Sequence, residues 1–108
     1  MLKSRTPNKA EKNWLDLSHQ IPCLACSLFH GVHDTPAEYH HIKGKTALNA
    51  HLTGFSLCAN HHRHKDAQKR WTSRHGDGLK AFERAYMPEI NFLSEQIERV
   101  NELKRCIV

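Results

Sequence analysis

The feature that most constrains the fold is the stretch from Cys23 to Asp66, CLACSLFHGVHDTPAEYHHIKGKTALNAHLTGFSLCANHHRHKD. It holds three of the four cysteines and eight of the ten histidines in the chain. The chain has 108 residues, of which 39% are hydrophobic, so we expect one domain with a thin core. Small domains of this kind usually need a disulfide or a metal for stability.

The beginning of the chain favours a metal over disulfides. The first ten residues, MLKSRTPNKA, are basic but lack the apolar run of a secretory signal. No stretch approaches the roughly 20 apolar residues of a membrane span. We therefore expect an intracellular protein with no membrane partner, in which closely spaced cysteines bind metal more often than they form disulfides.

Two short ligand pairs predict a structural zinc site. Cys23-x-x-Cys26 can present two thiolates to one metal, and Cys58-x-x-His61 is a second pair of the same kind. Together they form a Cys3His set, which is an established tetrahedral zinc site. Bound Zn²⁺ would contribute to folding. Cys106 stands apart near the C-terminus, and we expect it to be a core or free thiol.

The spacing of the elements predicts a single domain, residues 1–108, in three parts. Residues 1–21 form an N-terminal arm or helix, residues 22–71 the cysteine and histidine core, and residues 78–107 C-terminal helices. Within the core we predict a turn at Pro22–Ala25, strands at Ala37–Ile42 and Phe55–Leu57 with a loop at Lys43–Thr53 between them, and a helix over Asn60–Trp71. Four of the histidines outside the zinc set, His19, His30, His33 and His51, are expected to be surface or hydrogen-bonded residues.

A second cluster is predicted from histidines that the zinc does not use. His40 and His41 end the first strand, where neighbours point to opposite faces unless the backbone twists. His62 lies four residues before Asp66, and such residues share one face of a helix. The second site therefore draws on His40 or His41, on His62, and on Asp66 or His64.

Imidazoles and a carboxylate with open positions suit a catalytic divalent metal, and a further imidazole suits a general base. The net charge is +5 and the pI about 9.2, which favours a nucleic-acid partner. The natural substrate of such a site on a basic domain is a phosphodiester.

The motifs CxxC, EYHHI and SLCANHH resemble the HNH, or ββα-metal, nucleases that carry a zinc knuckle. The resemblance covers about residues 23–71 and implies a small α+β fold with a zinc-stapled, treble-clef-like ββα-metal core flanked by helices. It implies that His40 and His62 bind the catalytic metal and that His41 is the general base. More loosely, the run HGDGLKAFERAY is similar to phage-encoded recombination-enhancement nucleases, which implies a phage protein acting in a bacterial host.

The sequence departs from the family pattern at two positions. The family has an asparagine that braces the catalytic loop, and Thr53 stands there, with Asn49 close but out of register. His61 replaces the usual second cysteine, which zinc tolerates equally well. His75, His64 and Asp66 are alternative candidates for a third ligand of the catalytic metal, which would be Mg²⁺, Mn²⁺, Ni²⁺ or Zn²⁺.

Three functions are compatible with these features. The favoured one is a metal-dependent endonuclease that hydrolyses DNA. A zinc-stabilised nucleic-acid-binding module without chemistry is the main alternative, and an interaction protein is the third. The apolar residues of the last helix (Ile90, Leu93, Ile97, Val100 and Ile107) follow a heptad-like spacing. That helix either packs on its own domain, which we favour, or joins two copies in a homodimer.

Overall fold

The protein forms a small α+β fold of two strands and five helices within the part that the structure describes. This structure is a computed structural model, and it describes residues 8–42 and 52–106. The elements are α1 (Lys9–Ser18), α2 (Leu24–Phe29), β1 (Glu38–His41), β2 (Gly54–Leu57), α3 (Ala59–His62), α4 (Leu79–Ala85) and α5 (Glu89–Cys106). The predicted fold class is confirmed. Asn49, Ile107 and most of the predicted loop lie outside the described residues, and the single domain stays a prediction.

The two strands form an antiparallel pair at the centre of the molecule. His40 lies opposite Phe55, and His41 lies opposite Gly54. A Cβ atom at Gly54 would collide with the carbonyl oxygen of His40 and would lie 2.7 Å from the Tyr39 ring. Only glycine therefore lets β2 approach β1 this closely at the end of the strand that carries the two histidines.

Three phenylalanines form the centre of the core. The rings of Phe55 and Phe92 stack with their centroids 4.8 Å apart, and Phe82 lies 5.4 Å from Phe92. Gln96 of α5 is fully buried, and its side chain both accepts a hydrogen bond from the backbone N–H of Ser56 and donates one to the Ser56 hydroxyl. Helix α5 thus packs on β2 and provides hydrogen-bond partners for the buried polar groups of Ser56.

Helix α1 begins at a capping box and packs on the hairpin. The Asn8 side chain accepts a hydrogen bond from the Glu11 N–H, and the Glu11 carboxylate accepts one from the Asn8 N–H. Trp14 donates its indole N–H to the hydroxyl of Tyr39 at 2.9 Å. Of the predicted N-terminal arm or helix over residues 1–21, Lys9–Ser18 is helical.

The predicted helix over Asn60–Trp71 is wrong beyond its first turn. Helix α3 ends at His62. The Asp66 carboxylate accepts hydrogen bonds from the N–H groups of Gln68 and Arg70, and Lys69 adopts a left-handed backbone with φ 54°. Such local side-chain bonds compete with a helix, so the argument that His62 and Asp66 share one helical face fails.

Two other predictions about helices need correction. The turn predicted at Pro22–Ala25 continues as α2. The heptad-like stripe on α5 is only partly its buried face, because Ile90 and Ile97 are exposed whereas Phe92 and Val100 are fully buried. A homodimer through α5 stays a prediction. None of the helices described has the length and apolarity needed to cross a bilayer.

Candidate functional site

The four predicted zinc ligands lie together on two helix starts. Cys23 caps α2 and accepts a hydrogen bond from the Cys26 N–H, while Cys58 caps α3 one turn before His61. Each Cys-x-x unit therefore presents both of its donors from one turn of backbone. Among the residues described, these four form one of two groups of metal-ligand side chains whose donor atoms meet.

The distances between these donor atoms fit a tetrahedral zinc. The Nδ1 atom of His61 lies 3.2, 3.5 and 3.7 Å from the sulfurs of Cys58, Cys26 and Cys23, and the sulfurs of Cys26 and Cys58 are 3.9 Å apart. With Zn–S near 2.3 Å and Zn–N near 2.0 Å, tetrahedral donors lie about 3.5–3.8 Å apart. The cluster could hold a structural Zn²⁺ with only small shifts of the donor atoms.

The electrostatics of the cluster favour a cation. Contact with Cys23, and to a smaller extent with His61, lowers the pKa of Cys58 to about 3. The same contact, together with burial, raises the pKa of Cys23. One sulfur can hold the charge only while its neighbour keeps the proton, because two thiolates at this distance repel each other. A divalent cation would remove that conflict and stabilise all the thiolates together.

His30 lies beside this cluster as an exposed, hydrogen-bonded residue, as expected, but its contact with His61 was not predicted. Its Nε2 atom is 3.2 Å from the Nε2 atom of His61, and the two rings stack at 5.1 Å. His61 therefore has its Nδ1 among the sulfurs and its other nitrogen against His30. The available sequence signal was the spacing of four residues from Cys26 to His30, which brings the two residues to one side of α2.

The second group consists of His40, His62 and His75. One nitrogen from each lies within 4.8 Å of the other two, and the ring centroids are 4.9–5.2 Å apart. His75 returns to α3 because the Arg74 and His75 N–H groups donate to the carbonyls of His61 and His62 at 2.7 and 2.9 Å. These two hydrogen bonds close a loop and bring His75 beside the two strand and helix histidines.

An open cavity of about 480 Å³ lies over this group. Its lining consists of Glu38, Tyr39, His40, His41, His62, Arg63 and His75. His41 packs edge-on against Tyr39, with ring centroids 5.1 Å apart. His40 is 2% exposed and points into the protein from β1, whereas its neighbour His41 is half-buried. The two adjacent histidines thus reach one cavity although only His40 joins the cluster of three.

The two other candidates for a third ligand lie elsewhere. Asp66 is occupied by the turn described above and by Arg70, whose guanidinium donates to it at 3.0 Å and lowers its pKa. His64 is exposed, and its carbonyl accepts the indole N–H of Trp71. Thr53 lies beside His41, where its carbonyl accepts the Ile42 N–H at 3.0 Å. Asn49 is outside the described residues.

Two carboxylates that the sequence analysis missed contact the histidine cluster. Glu89 accepts from His40 Nε2 at 2.7 Å and from Arg74 at 2.9 Å, and Glu38 lies 2.9 Å from His62 Nδ1. Glu38 sits two residues before His40 on the same strand face, which the alternation of a strand could have revealed. Glu89 is 49 residues from His40, and no local pattern points to it.

Both carboxylates are stabilised in the charged form, and His62 and His75 in the neutral form. The Arg63 guanidinium, followed by His62, lowers the pKa of Glu38. Burial would raise the pKa of Glu89, but the hydrogen bonds from His40 and Arg74 lower it overall. Burial lowers the pKa of both His62 and His75. Neutral imidazoles are the form that binds metal.

We expect His75, and neither His64 nor Asp66, to contribute to metal binding at this cluster. His75→Ala should weaken Mn²⁺ binding by zinc-loaded protein about tenfold or more, because one of three donors is lost. His64→Ala and Asp66→Asn should leave the affinity within about twofold of the wild type, since neither side chain reaches the cluster. Isothermal titration calorimetry measures the Mn²⁺ affinity of each variant. If Asp66→Asn weakened binding as much as His75→Ala, His75 would not be distinguished as the third ligand.

The fold and the two groups define a class: a small α+β protein with a Cys3His cluster suited to zinc and a separate histidine cluster open to a cavity. Residues 7–101 match the model of a family described as recombination enhancement, RecA-dependent nuclease. The match spans most of the chain, and the protein therefore belongs to this family. The family identifies it, at this coarse level, as a nuclease.

Proposed function

We propose that the protein is a metal-dependent endonuclease of the HNH type that hydrolyses phosphodiester bonds in DNA. The observation that carries the proposal is the meeting of His40, His62 and His75 in one cavity that His41 also lines. Membership in a nuclease family and a net charge of +5 support it. The word recombination in the family description favours DNA as the substrate.

The cluster is proposed to hold a catalytic divalent metal: Mg²⁺, Mn²⁺, Ni²⁺ or Zn²⁺. When bound, such a metal would neutralise charge on the scissile phosphate and stabilise the leaving oxygen. Three neutral imidazoles leave open coordination positions, which a substrate-binding site requires. Arg63 lines the same cavity with its side chain 52% exposed, so its guanidinium can contact a phosphate oxygen beside the cluster.

His41 is proposed as the general base. Its imidazole takes a proton from water as the water oxygen attacks phosphorus, and the bond from phosphorus to the 3′ oxygen breaks. The leaving oxygen gains a proton from solvent, which gives a 5′-phosphate and a 3′-hydroxyl. The packing of His41 against Tyr39 and its place beside Gly54 fix the ring at the cavity wall. Thr53, which directly precedes Gly54 and accepts the Ile42 N–H, is proposed to support this part of the backbone.

The Cys3His cluster is proposed to hold a structural Zn²⁺ with no role in the reaction. Its donors are four protein atoms, which leave no open position on a tetrahedral ion. Helix α3 contributes to both groups, because His61 and His62 are neighbours that belong to different clusters. The zinc would thereby hold helix α3, which presents His62 to the catalytic metal.

Nicking of supercoiled plasmid tests this function. Zinc-loaded wild-type protein, with and without RecA because the family description names it, should convert the plasmid to the nicked form when Mg²⁺, Mn²⁺ or Ni²⁺ is present. His62→Ala should reduce the rate at least about a hundredfold, because it loses a metal donor, and EDTA should stop cutting by the wild type. If the plasmid stays intact under every condition but binds the protein, the non-catalytic binding module is correct instead.

A further inference from the structure

We propose that Glu89 and Glu38 orient the imidazoles of His40 and His62, so that His40 offers Nδ1 and His62 offers Nε2 to the metal. This inference rests on the proposed metal site and deepens it. A metal-binding histidine commonly gives its second nitrogen to a carboxylate, which fixes both the ring and the position of the proton. In this protein each of the two histidines has such a partner within 2.9 Å.

The hydrogen bonds leave one nitrogen on each ring available. Nε2 of His40 contacts Glu89 at 2.7 Å, so Nδ1 is the atom free to bind a metal. Nδ1 of His62 contacts Glu38 at 2.9 Å, so Nε2 is the free atom on that ring. A neutral imidazole that donates to a carboxylate carries its proton on the donating nitrogen, and its other nitrogen keeps the lone pair that a metal needs.

Each carboxylate is itself held by an arginine. Arg74 donates to the same oxygen of Glu89 that contacts His40, and Arg63 binds both oxygens of Glu38 through two of its nitrogens. Each histidine is thus reached by a series of contacts in the same order, from arginine to glutamate to histidine. The bidentate contact of Arg63 restricts Glu38 in direction as well as in distance.

The contacts of Glu89 make the C-terminal helices part of the site. Glu89 is the first residue of α5, and its N–H donates to the carboxylate of Glu83 at 2.7 Å. Phe92, one turn further, is fixed in the core against Phe55. The side chain of Glu89 is only 9% exposed, so the surrounding residues restrict its position. Helix α5 is therefore part of the metal site as well as of the core.

A role in stability alone predicts something different. Removing one partner of a buried ion pair lowers stability, because the other charge is left buried and unpaired. If Glu89 served only to pair Arg74, its removal would lower stability without changing metal affinity or the tautomer of His40. The orientation role instead predicts that both change, and that a variant which keeps an oxygen acceptor recovers part of the effect.

The test compares Glu89→Ala and Glu89→Gln in zinc-loaded, full-length protein. Mn²⁺ binding is followed by electron paramagnetic resonance, and the His40 tautomer by ¹⁵N NMR. Glu89→Ala should raise the Kd for Mn²⁺ about 10–100-fold, which is the usual effect of losing such a partner. Glu89→Gln keeps the oxygen acceptor and should lie between Glu89→Ala and wild type. The Nε2–H signal of His40 should persist in Glu89→Gln and be lost from Glu89→Ala.

Glu95→Ala is the matched control, because Glu95 lies on the same helix but pairs only loosely with Arg99, at 3.8 Å. It should bind Mn²⁺ as the wild type does. Wild-type affinity in folded Glu89→Ala would overturn the inference while leaving the proposed function intact. If Glu89→Ala does not fold, an unchanged Kd in Glu89→Gln overturns it equally. Absence of Mn²⁺ binding by the wild type would instead overturn the proposed metal site itself.

Discussion

Cys58→Ser is expected to unfold the protein at room temperature. Small domains have a net free energy of unfolding of about 5–15 kcal/mol, and structural zinc binding contributes about 10–16 kcal/mol. Cys58 begins α3 and lies closest of the three sulfurs to His61. A serine hydroxyl is a poor zinc ligand, so the variant loses an amount comparable to the whole stability of the domain.

Circular dichroism with a zinc assay on the same samples measures this loss. The wild type should show a cooperative thermal transition and one tightly bound zinc per chain, and chelation with phenanthroline should abolish both. Cys106→Ser is the control, because that thiol is free and exposed at the end of α5. A Cys58→Ser protein that melts like the wild type without zinc would show that the cluster does not stabilise the fold.

His41→Ala is expected to lower the rate of plasmid nicking about 10²–10⁴-fold, the usual contribution of a general base. The substitution removes the imidazole from the cavity wall but leaves His40, His62 and His75 in place. Zinc content and Mn²⁺ affinity should therefore match those of the wild type. A loss of rate with intact metal binding is the signature of a group that moves a proton.

His64→Ala serves as the comparison for His41→Ala under the conditions in which the wild type cuts. It removes an imidazole that is exposed and lies outside the cavity lining, and it should nick DNA at the wild-type rate. If His41→Ala retains full activity, the general base is another group. Should His41→Ala also lose Mn²⁺ binding, His41 would be acting on the metal rather than on the attacking water.

The ligand pairs were predictable because each is local. Cys23 and Cys26, like Cys58 and His61, sit within one turn of backbone, and a tetrahedral metal accepts any arrangement that brings two such turns together. The meeting of the two pairs also depends on the packing of α2 and α3 against β2. The hairpin was predictable for a similar reason, since a strand is recognisable from four or five residues.

The remaining parts of the site depend on contacts that no local pattern carries. Glu89 reaches His40 only because the core phenylalanines seat the start of α5 beside β1. The helix predicted over Asn60–Trp71 extended too far because helical propensity does not reveal that Asp66 will bind the backbone of its own turn. The same error made Asp66 a candidate beside His62, as an alternative to His64 and His75.

The loop between His62 and His75 has both of its ends at the cavity. Its two ends are tied together by the hydrogen bonds from Arg74 and His75 to the carbonyls of α3. We therefore expect substitutions at its exposed positions, such as Lys65 and Gln68, to leave both imidazoles in place. Different versions of this loop could meet different substrates around an unchanged set of donor atoms, so that the range of targets and the chemistry can diverge independently within one small fold.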